Sequence, residues 1–177
     1  NGGTLIVTNN SGLGATSGAV RVSSGATLDL QNVTVGANPM TLAGGTLKDA
    51  TSSFAGAITL TADSTIAITN AGDTFTLSGV ISGSGYGVSV NGPGTIVFTG
   101  VNTYSGTTTI NSGSTLNLSG SGSIATSSGV VNNGTFDISG MASGTTIATL
   151  SGSGNTVLGA RTLTIANANG TYSGVMS

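Results

Sequence analysis

The stretch that decides the fold is NGPGTIVFTGVNTYSGTTTINSGSTLNL, residues 91–118. It contains one short pattern twice, at 94–100 and at 114–120. In each copy a Thr (Thr95 or Thr115) is followed by an apolar residue, any residue and a second apolar residue, then by a small hydroxylated residue and a Gly. Apolar residues with a period of two, closed by a turn residue, predict a short β-strand.

The same pattern recurs along the whole chain. Its leading residues are Thr4, Thr27, Thr46, Thr65, Thr95, Thr115, Thr135 and Thr162, at steps of 23, 19, 19, 30, 20, 20 and 27 residues. The positions one and three after the Thr are apolar in fifteen of the sixteen cases, with Asp49 as the exception. We expect the strand to end early at Asp49 and its side chain to lie in the corner that follows. An internal repeat of this period is typical of a solenoid or another repeat array.

Each Thr-led strand is followed by a corner, and each one after the first is preceded by a second strand. The preceding strands carry the pairs Val20/Val22, Met40/Leu42, Ile58/Leu60, Val88/Val90, Thr108/Ile110, Ser128/Val130 and Asn155/Val157. The fifth position after each Thr is Asn9, Asn32, Thr51, Asn70, Gly100, Gly120, Gly140 or Asn167. Because Gly and Asn tolerate φ > 0, this position predicts one corner bent the same way in every copy.

The composition selects one solenoid class. The chain of 177 residues has Gly 31, Pro 2, Cys 0 and only 5% charged residues, and the prevalent Gly, Thr, Ser, Asn and Val are weak helix formers. Disorder is disfavoured by the strict alternation of β-branched apolar residues. We predict an all-β fold, a right-handed single-stranded parallel β-helix with about 20 residues and three short strands per rung. About eight rungs would make a rod roughly 40 Å long.

The domain prediction is one continuous solenoid over residues 1–177. The two longest steps in the repeat predict longer loops or an extra strand around 70–90 and 140–155. In solenoids such insertions map to loops on one face, and that face often binds a partner. The alternative is a tolerated loop without a partner.

The carboxylates do not predict a catalytic site. Glycan-cleaving enzymes need paired carboxylates, but this chain has only Asp29, Asp49, Asp63, Asp73 and Asp137, with no Glu and no His. Asp29 and Asp137 share an outward register but should lie about five rungs, roughly 24 Å, apart. Asp63 is expected to cap a turn, with Asp73 on the same rung. Asp29 and Lys48 should face outward on neighbouring rungs as an ion pair worth at most about 1 kcal/mol. We therefore predict a chain that is not an enzyme.

Other ligands and partners are also disfavoured by the sequence. No calcium-binding repeat and no phosphate-binding loop is present, so we predict no metal and no cofactor. Arg21, Lys48 and Arg161 are too scattered to predict nucleic-acid binding, and no apolar run predicts membrane insertion within this segment. Tyr86, Tyr104 and Tyr172 could stack on sugars, although the shared Thr-Tyr-Ser-Gly context of Tyr104 and Tyr172 favours a repeated structural place.

The segment 94–116 resembles the passenger-associated repeat of bacterial autotransporters. Asn102-Thr103-Tyr104-Ser105-Gly106 with the following Thr-x-Ile is the most distinctive part, and weaker similarity extends over 75–85 and 150–177. The resemblance implies a secreted or surface-displayed β-helix, located outside or on the outer membrane of a Gram-negative-type cell. The signal peptide and C-terminal membrane barrel of that family have no counterpart in this sequence, so the export route stays open.

These observations together predict a non-catalytic, structural repeat protein. It would be a rigid surface stalk or an adhesin segment that resembles an autotransporter passenger, with host or matrix glycans or proteins as possible partners. The pattern is open at both ends, which predicts either a piece of a longer passenger or copies that stack head to tail. The alternative function is therefore a subunit of an extracellular filament, and a carbohydrate-acting enzyme is the third and least favoured class.

Overall fold

The computed structural model describes residues 2–177, which form a parallel β-helix of about eight turns with about 20 residues per turn. The predicted fold class is confirmed. The strands in chain order are β1 (Thr4–Val7), β2 (Val20–Ser23), β3 (Thr27–Gln31), β4 (Thr34–Val35), β5 (Met40–Ala43), β6 (Thr46–Ala50), β7 (Ser53–Phe54), β8 (Ile58–Ala62), β9 (Ser64–Ile68), β10 (Thr74–Leu77), β11 (Ile81–Ser82), β12 (Val88–Asn91), β13 (Thr95–Phe98), β14 (Thr108–Ile110), β15 (Thr115–Leu118), β16 (Val130–Asn132), β17 (Thr135–Asp137), β18 (Thr145–Ile147), β19 (Leu150–Ser151), β20 (Asn155–Val157) and β21 (Leu163–Ile165).

The strands form three sides of the rod. One side is an eight-stranded sheet in the order β1-β3-β6-β9-β12-β14-β16-β19, and the next is a seven-stranded sheet in the order β4-β7-β10-β13-β15-β17-β20. The third side begins as the four-stranded sheet β2-β5-β8-β11 and ends as the pair β18-β21. Between these two sheets it continues through isolated parallel bridges, Val101 with Ser123 and Gly120 with Met141.

The core is built from columns of inward side chains, one from each turn. On the eight-stranded sheet Leu28 pairs with Leu47, and Leu47 pairs with Ile66. All three are buried, as the predicted register requires. The seven-stranded sheet holds the larger residues, with Phe75 beside Ile96 and Leu77 beside Phe98. Burying each such side chain is worth about 1.5–3 kcal/mol.

The expected register of the Thr-led strands is wrong at one step. Thr65 does not lie beside Thr95: it pairs with Ser89 on the eight-stranded sheet, and Thr95 pairs with Thr74 on the seven-stranded sheet. The third side carries the last Thr-led strand, β21. The unit of strand, corner and Thr-led strand therefore moves by one side of the rod at each of its two longest steps, before Thr95 and before Thr162.

The cause of this shift is one additional strand in each long step. Strands β10 to β12 lie between Thr65 and Thr95, and strands β18 to β20 lie between Thr135 and Thr162, whereas a step of one full turn, such as Thr27 to Thr46, contains two strands, β4 and β5. All three sides use the same alternating strand closed by a corner, so a unit can occupy any two successive sides without changing its inward residues. The repeated unit is thus kept along the whole chain, although the side of the rod that it occupies changes.

The corners confirm part of the prediction for φ. Among the predicted positions in the described chain, Asn32 (φ 53°), Thr51 (φ 58°) and Gly120 (φ 61°) have positive φ. The remaining corners turn by other means, some through glycines elsewhere in the turn such as Gly92 (φ 98°). An added Cβ at Gly92 would lie 2.0 Å from the carbonyl oxygen of Ile68, so close contact between turns also requires glycine there.

The expectation for Asp49 is wrong. Strand β6 continues through Asp49 to Ala50, and the Asp49 side chain faces the core with 0% exposure. Its carboxylate nevertheless reaches the following corner, because Oδ2 accepts a hydrogen bond from the backbone N–H of Ser52 at 2.8 Å. The backbone of Asp49 therefore belongs to strand β6, and its side chain caps the corner that follows.

Candidate functional site

The five Asp side chains are dispersed around the rod. Asp29 and Asp137, expected to share one register, lie on different sheets, in β3 and β17 respectively. Within residues 2–177 no three Asp, Glu, His or Cys side chains come close enough together to hold a metal ion. The basic residues are equally separate, with Arg21 in β2, Lys48 in β6 and Arg161 after β20.

Asp29 and Lys48 form the predicted ion pair, at 3.1 Å between Oδ2 and Nζ. Asp29 is more deeply placed than the sequence predicted, since its side chain is only 6% exposed. Oδ1 also accepts a hydrogen bond from the Gln31 amide at 2.9 Å, and Ile6 flanks it on the neighbouring strand. A carboxylate with two partners and an apolar cover is a structural element of this sheet rather than a free acid.

Asp63 lies in the corner between β8 and β9, as predicted, but it caps a neighbouring turn. Its Oδ1 accepts a hydrogen bond from the Gly87 N–H at 2.7 Å, whereas Asp73 accepts one from the Asn70 amide at 2.8 Å. Asp63 is exposed. Since an ionised carboxylate can accept about four hydrogen bonds, Asp63 retains capacity for a ligand.

A groove of about 430 Å³ opens beside Asp63, along the corner between the third side and the eight-stranded sheet. We call it the hydroxyl groove, because Ser and Thr side chains from three successive turns line it. Its lining residues are Asp63, Gly85, Gly87, Val88, Ser89, Ser105, Gly106, Thr107, Thr109 and Ser128.

Local hydrogen bonds fix the hydroxyl groups of the groove. Ser105 Oγ accepts a hydrogen bond from the Gly85 N–H at 2.8 Å, so the hydroxyl proton of Ser105 remains free to donate elsewhere. Thr107 Oγ1 lies 3.1 Å from Ser128 Oγ. Ser89 and Thr109 are neighbours in the ladder of the eight-stranded sheet. Ser105, Thr107 and Ser128 are therefore held by hydrogen bonds while keeping hydrogen-bonding capacity.

Glycines allow neighbouring turns to pack closely beside the groove. An added Cβ at Gly87 would lie 2.3 Å from the Thr107 carbonyl oxygen, and one at Gly106 would lie 2.2 Å from the Tyr86 carbonyl carbon. Gly85 has φ +80° and an added Cβ there would meet nothing within 4 Å. Gly87 and Gly106 are therefore required for the close contact between turns, and Gly85 for its left-handed backbone.

The three tyrosines have different environments. Tyr86 lies between two groove glycines and is 39% exposed, whereas Tyr104 is fully buried. The Tyr104 hydroxyl lies 2.6 Å from Thr108 Oγ1, and the Tyr172 hydroxyl lies 2.9 Å from Thr156 Oγ1. Burial raises the pKa of Tyr104 above its ordinary value. Both hydroxyls contact a Thr, but Thr108 follows Tyr104 by four residues whereas Thr156 precedes Tyr172 by sixteen, and Tyr172 is only partly buried. The repeated structural place suggested by their shared sequence context therefore stays a prediction.

Two further concavities lie away from the hydroxyl groove. One, of about 520 Å³, lies on the third side between 120–125 and 141–146. The other, of about 310 Å³, lies beside β1 and β2, where Val20 and Arg21 border it. Both are open clefts without an ionised pair of side chains.

The sequence did not single out the hydroxyl groove. Ser and Thr occupy outward positions along most strands, so Ser105, Thr107 and Ser128 carry no distinguishing signal. The nearest indication is the cluster Gly83-Ser84-Gly85-Tyr86-Gly87 within the long step of the repeat, which we expected to be a loop or binding face.

Comparisons of the chain with protein-family models, with curated proteins and with solved structures find no match in any of the three. The part of the chain that the structure describes contains no helix of the length and apolarity needed to span a membrane.

Proposed function

We propose that this chain is a non-catalytic, extracellular structural segment, a rigid stalk or adhesin segment on the surface of a Gram-negative-type cell. The single observation that supports it best is the unbroken ladder of eight parallel strands from β1 to β19. Such a ladder holds successive turns about 4.8 Å apart and gives a rod about 34 Å long on this side alone. A rod of this kind extends a binding surface away from its point of attachment.

The surface of the rod suits an exposed setting without membrane contact. Its outward columns are mainly hydroxylated, as in Thr4, Thr27, Thr46 and Thr65 along the eight-stranded sheet. Hydroxyl groups bind water without charge, so the rod stays hydrated with few ionic groups. The extracellular location rests on the resemblance of segment 94–116 to the autotransporter repeat.

Two single cysteines test the location. Residues 1–177 contain no Cys, so an introduced thiol is the only one within this segment. Ser112 is exposed in the turn after β14, whereas Ser114, two residues later, is 1% exposed. On intact cells that naturally make the protein, a membrane-impermeant maleimide should label Ser112→Cys, and it should label Ser114→Cys only after denaturation. Labelling of Ser112→Cys that requires cell lysis would exclude surface display.

A subunit of a head-to-tail filament is the second candidate, favoured by apolar side chains exposed at both ends of the rod. Leu5 (59%) and Ile6 (58%) are exposed on β1, and Val175 (64%) and Met176 (45%) are exposed at the other end. Among the strands of residues 2–177, β1 pairs only with β3. A further turn, from a longer chain or from a second copy, could cover either end.

Electron microscopy of the purified chain separates the two candidates. Discrete short rods support the stalk, and fibres of indefinite length support the filament. In the filament case Ile6→Lys should abolish fibres. Val101→Lys is the matched control, because Val101 is 55% exposed on the middle of the third side, and fibres should survive it.

A further inference from the structure

The hydroxyl groove presents a set of groups that select one class of ligand. Hydroxyl groups of Ser89, Ser105, Thr107 and Ser128 both donate and accept hydrogen bonds. The exposed Asp63 carboxylate accepts only, and its position is fixed by the Gly87 N–H. A ligand that matches this set must itself carry many groups that donate and accept.

The charges in and around the groove exclude other ligand classes. Its lining contains one carboxylate and no Lys or Arg, so an anion would meet repulsion without a countercharge. A calcium ion takes six to eight oxygen ligands, usually including several carboxylates, and one Asp does not supply them. An apolar ligand would leave the groove's polar groups without partners, which costs free energy.

Tyr86 does not line the groove itself, but in the chain it stands between the lining residues Gly85 and Gly87, so an aromatic residue borders the groove. Tyr86 is 39% exposed, and its backbone packs on Gly106. A pyranose ring combines hydroxyl groups at its edge with C–H groups on its face, and an aromatic ring can pack on that face. A saccharide that extends from the groove to Tyr86 would therefore make both kinds of contact.

We propose that the hydroxyl groove binds a neutral saccharide, with Asp63 accepting hydrogen bonds from two sugar hydroxyls and Tyr86 packing on a ring face. The groove volume of about 430 Å³ falls within the range of small-molecule sites. The proposal deepens the adhesin-segment function and rests on it for the setting in which the saccharide is encountered. The chemistry of the groove itself is independent of location.

The test is an NMR titration of the ¹⁵N-labelled chain with three neutral probes and one charged probe. Cellotetraose and maltotetraose represent matrix glucans, N-acetyllactosamine represents cell-surface glycans, and a heparin tetrasaccharide is the charged probe. We expect at least one neutral probe to shift the amide signals of Gly85, Gly87, Gly106 and Ser128, while the heparin fragment does not. Neutral probes that shift no signal at about 10 mM, or shift only signals outside the groove, would overturn the proposal, as would preferential binding of heparin.

Matched variants test the assigned residues. Asp63→Asn keeps an acceptor for the Gly87 N–H and removes the charge, whereas Asp137→Asn makes the same change on the seven-stranded sheet, where Asp137 Oδ1 accepts from the Ser139 N–H at 2.8 Å. Tyr86→Ala and Thr107→Val each should weaken binding by about 10-fold, and Asp63→Asn should weaken it by several-fold. Asp137→Asn and Thr115→Val should bind as the wild type does.

The binding variants test the saccharide site, the cell labelling tests surface display, and either proposal can be overturned without the other. Circular dichroism confirms that each variant is folded before titration. Equal affinity of Asp63→Asn, Tyr86→Ala and Thr107→Val would show that the saccharide binds elsewhere and would overturn the assignment. Surface labelling of Ser112→Cys without saccharide binding would support the surface stalk and overturn the saccharide site. Saccharide binding without surface labelling would support the saccharide site and overturn surface display.

Discussion

Asp49 places a carboxyl group inside the apolar core, on the same inward column as Leu30 and Ile68. Oδ2 accepts a hydrogen bond from the Ser52 N–H, but Oδ1 is buried without a partner. Burial raises the pKa of Asp49 above its usual value of 3.8, and the hydrogen bond to Ser52 opposes this only in part. Because the folded-state pKa lies above that of the unfolded chain, the folded protein binds the proton more tightly.

The first prediction is the pH dependence that follows from Asp49. Its effect on stability is most favourable below pH 3.8, and this advantage is lost as the pH rises through the folded-state pKa. Asp49→Asn keeps the acceptor for Ser52 and removes the charge, so it should stabilise the fold at pH 7 by about 1–3 kcal/mol. Urea unfolding between pH 3 and pH 8 measures the difference from the wild type, which should shrink as the pH falls. A variant that is less stable than wild type at pH 7 would contradict this.

Thr51 is a β-branched residue in a left-handed conformation. Its φ is +58°, and Asn32, which precedes it by one turn at the same corner, has φ +53°. Left-handed backbone costs an ordinary residue about 1–2 kcal/mol and costs Asn less. The exposed Thr51 side chain is otherwise replaceable.

The second prediction exchanges these two residues. Thr51→Asn should stabilise the fold by about 1 kcal/mol, and the reciprocal Asn32→Thr should destabilise it by a similar amount. Chemical denaturation of both variants measures the two changes. If both substitutions shift stability in the same direction, strain at the corner is not the cause.

At the residue scale the sequence predicts which side chains come into contact better than it predicts how deeply each one is buried. The spacing of Asp29 and Lys48 predicted their ion pair, because equal positions on neighbouring turns must lie side by side. It did not predict the 6% exposure of the Asp29 side chain, which depends on Gln31 and Ile6 beside it. The buried position of Asp49 was not predicted, because an Asp at an apolar position of a repeat suggests that the strand ends there. Strand β6 instead continues through Asp49, whose side chain caps the next corner.

At the scale of elements, a chain of buried hydroxyl groups joins the third side to the eight-stranded sheet. Tyr104 OH lies 2.6 Å from Thr108 Oγ1, and Thr108 Oγ1 lies 3.0 Å from Ser127 Oγ. Ser127 Oγ donates to the carbonyl oxygen of Gly106 at 2.8 Å or of Gly129 at 3.0 Å. Because a carbonyl can only accept, the protons run in one direction, from Tyr104 to Thr108 to Ser127 to the backbone.

The third prediction uses that direction. Tyr104→Phe removes only the first donor, and Thr108 still donates to Ser127, so the cost should be about 1 kcal/mol. Thr108→Val leaves the buried Tyr104 hydroxyl without its partner and should cost more, about 2–3 kcal/mol. Urea unfolding of both variants and of the double variant measures this order. In the double variant the losses should be less than additive, and additive losses would mean that the two hydroxyls do not act as one chain.

The side of the rod that each strand occupies could not be read from the sequence. Every side uses short strands of two to five residues, in which buried and more exposed positions mostly alternate. The repeat therefore predicts most of the strands and their inward residues, although in β20 Thr156 is buried in place of the expected Asn155 and Val157. A step of 30 residues fits a loop as well as an extra strand. Pairing decides between them, because β10 has β7 and β13 as partners on the seven-stranded sheet. The irregular part of the third side could not be predicted either. There the Asn102 side chain accepts a hydrogen bond from the Ile81 N–H at 2.8 Å, in place of a backbone ladder bond.

At the scale of the whole molecule the rod is a one-dimensional stack, in which each turn mainly contacts the turns beside it. Between Thr95 and Thr115 the offset is 20 residues on the seven-stranded sheet, and between Val88 and Thr108 it is also 20 on the eight-stranded sheet. Val88 and Val130 both pair with Thr108, from opposite sides. Removing one turn should therefore bring β12 against β16 with the same inward residues.

The fourth prediction compares a large deletion with a small one. Deleting residues 96–115 joins Thr95 to Leu116 and removes one whole turn, so the protein should still fold cooperatively and form a rod shorter by about 4.8 Å. Deleting Val97 alone moves Phe98 from the core face of β13 to the outer face, and losing such a buried Phe costs about 3–5 kcal/mol. Circular dichroism during urea unfolding should show the twenty-residue deletion to be the more stable of the two, and small-angle scattering should show its shorter length. If the large deletion unfolds the chain while the loss of Val97 is tolerated, the turns are not interchangeable units. That result would contradict the description of the rod as a stack of equivalent turns.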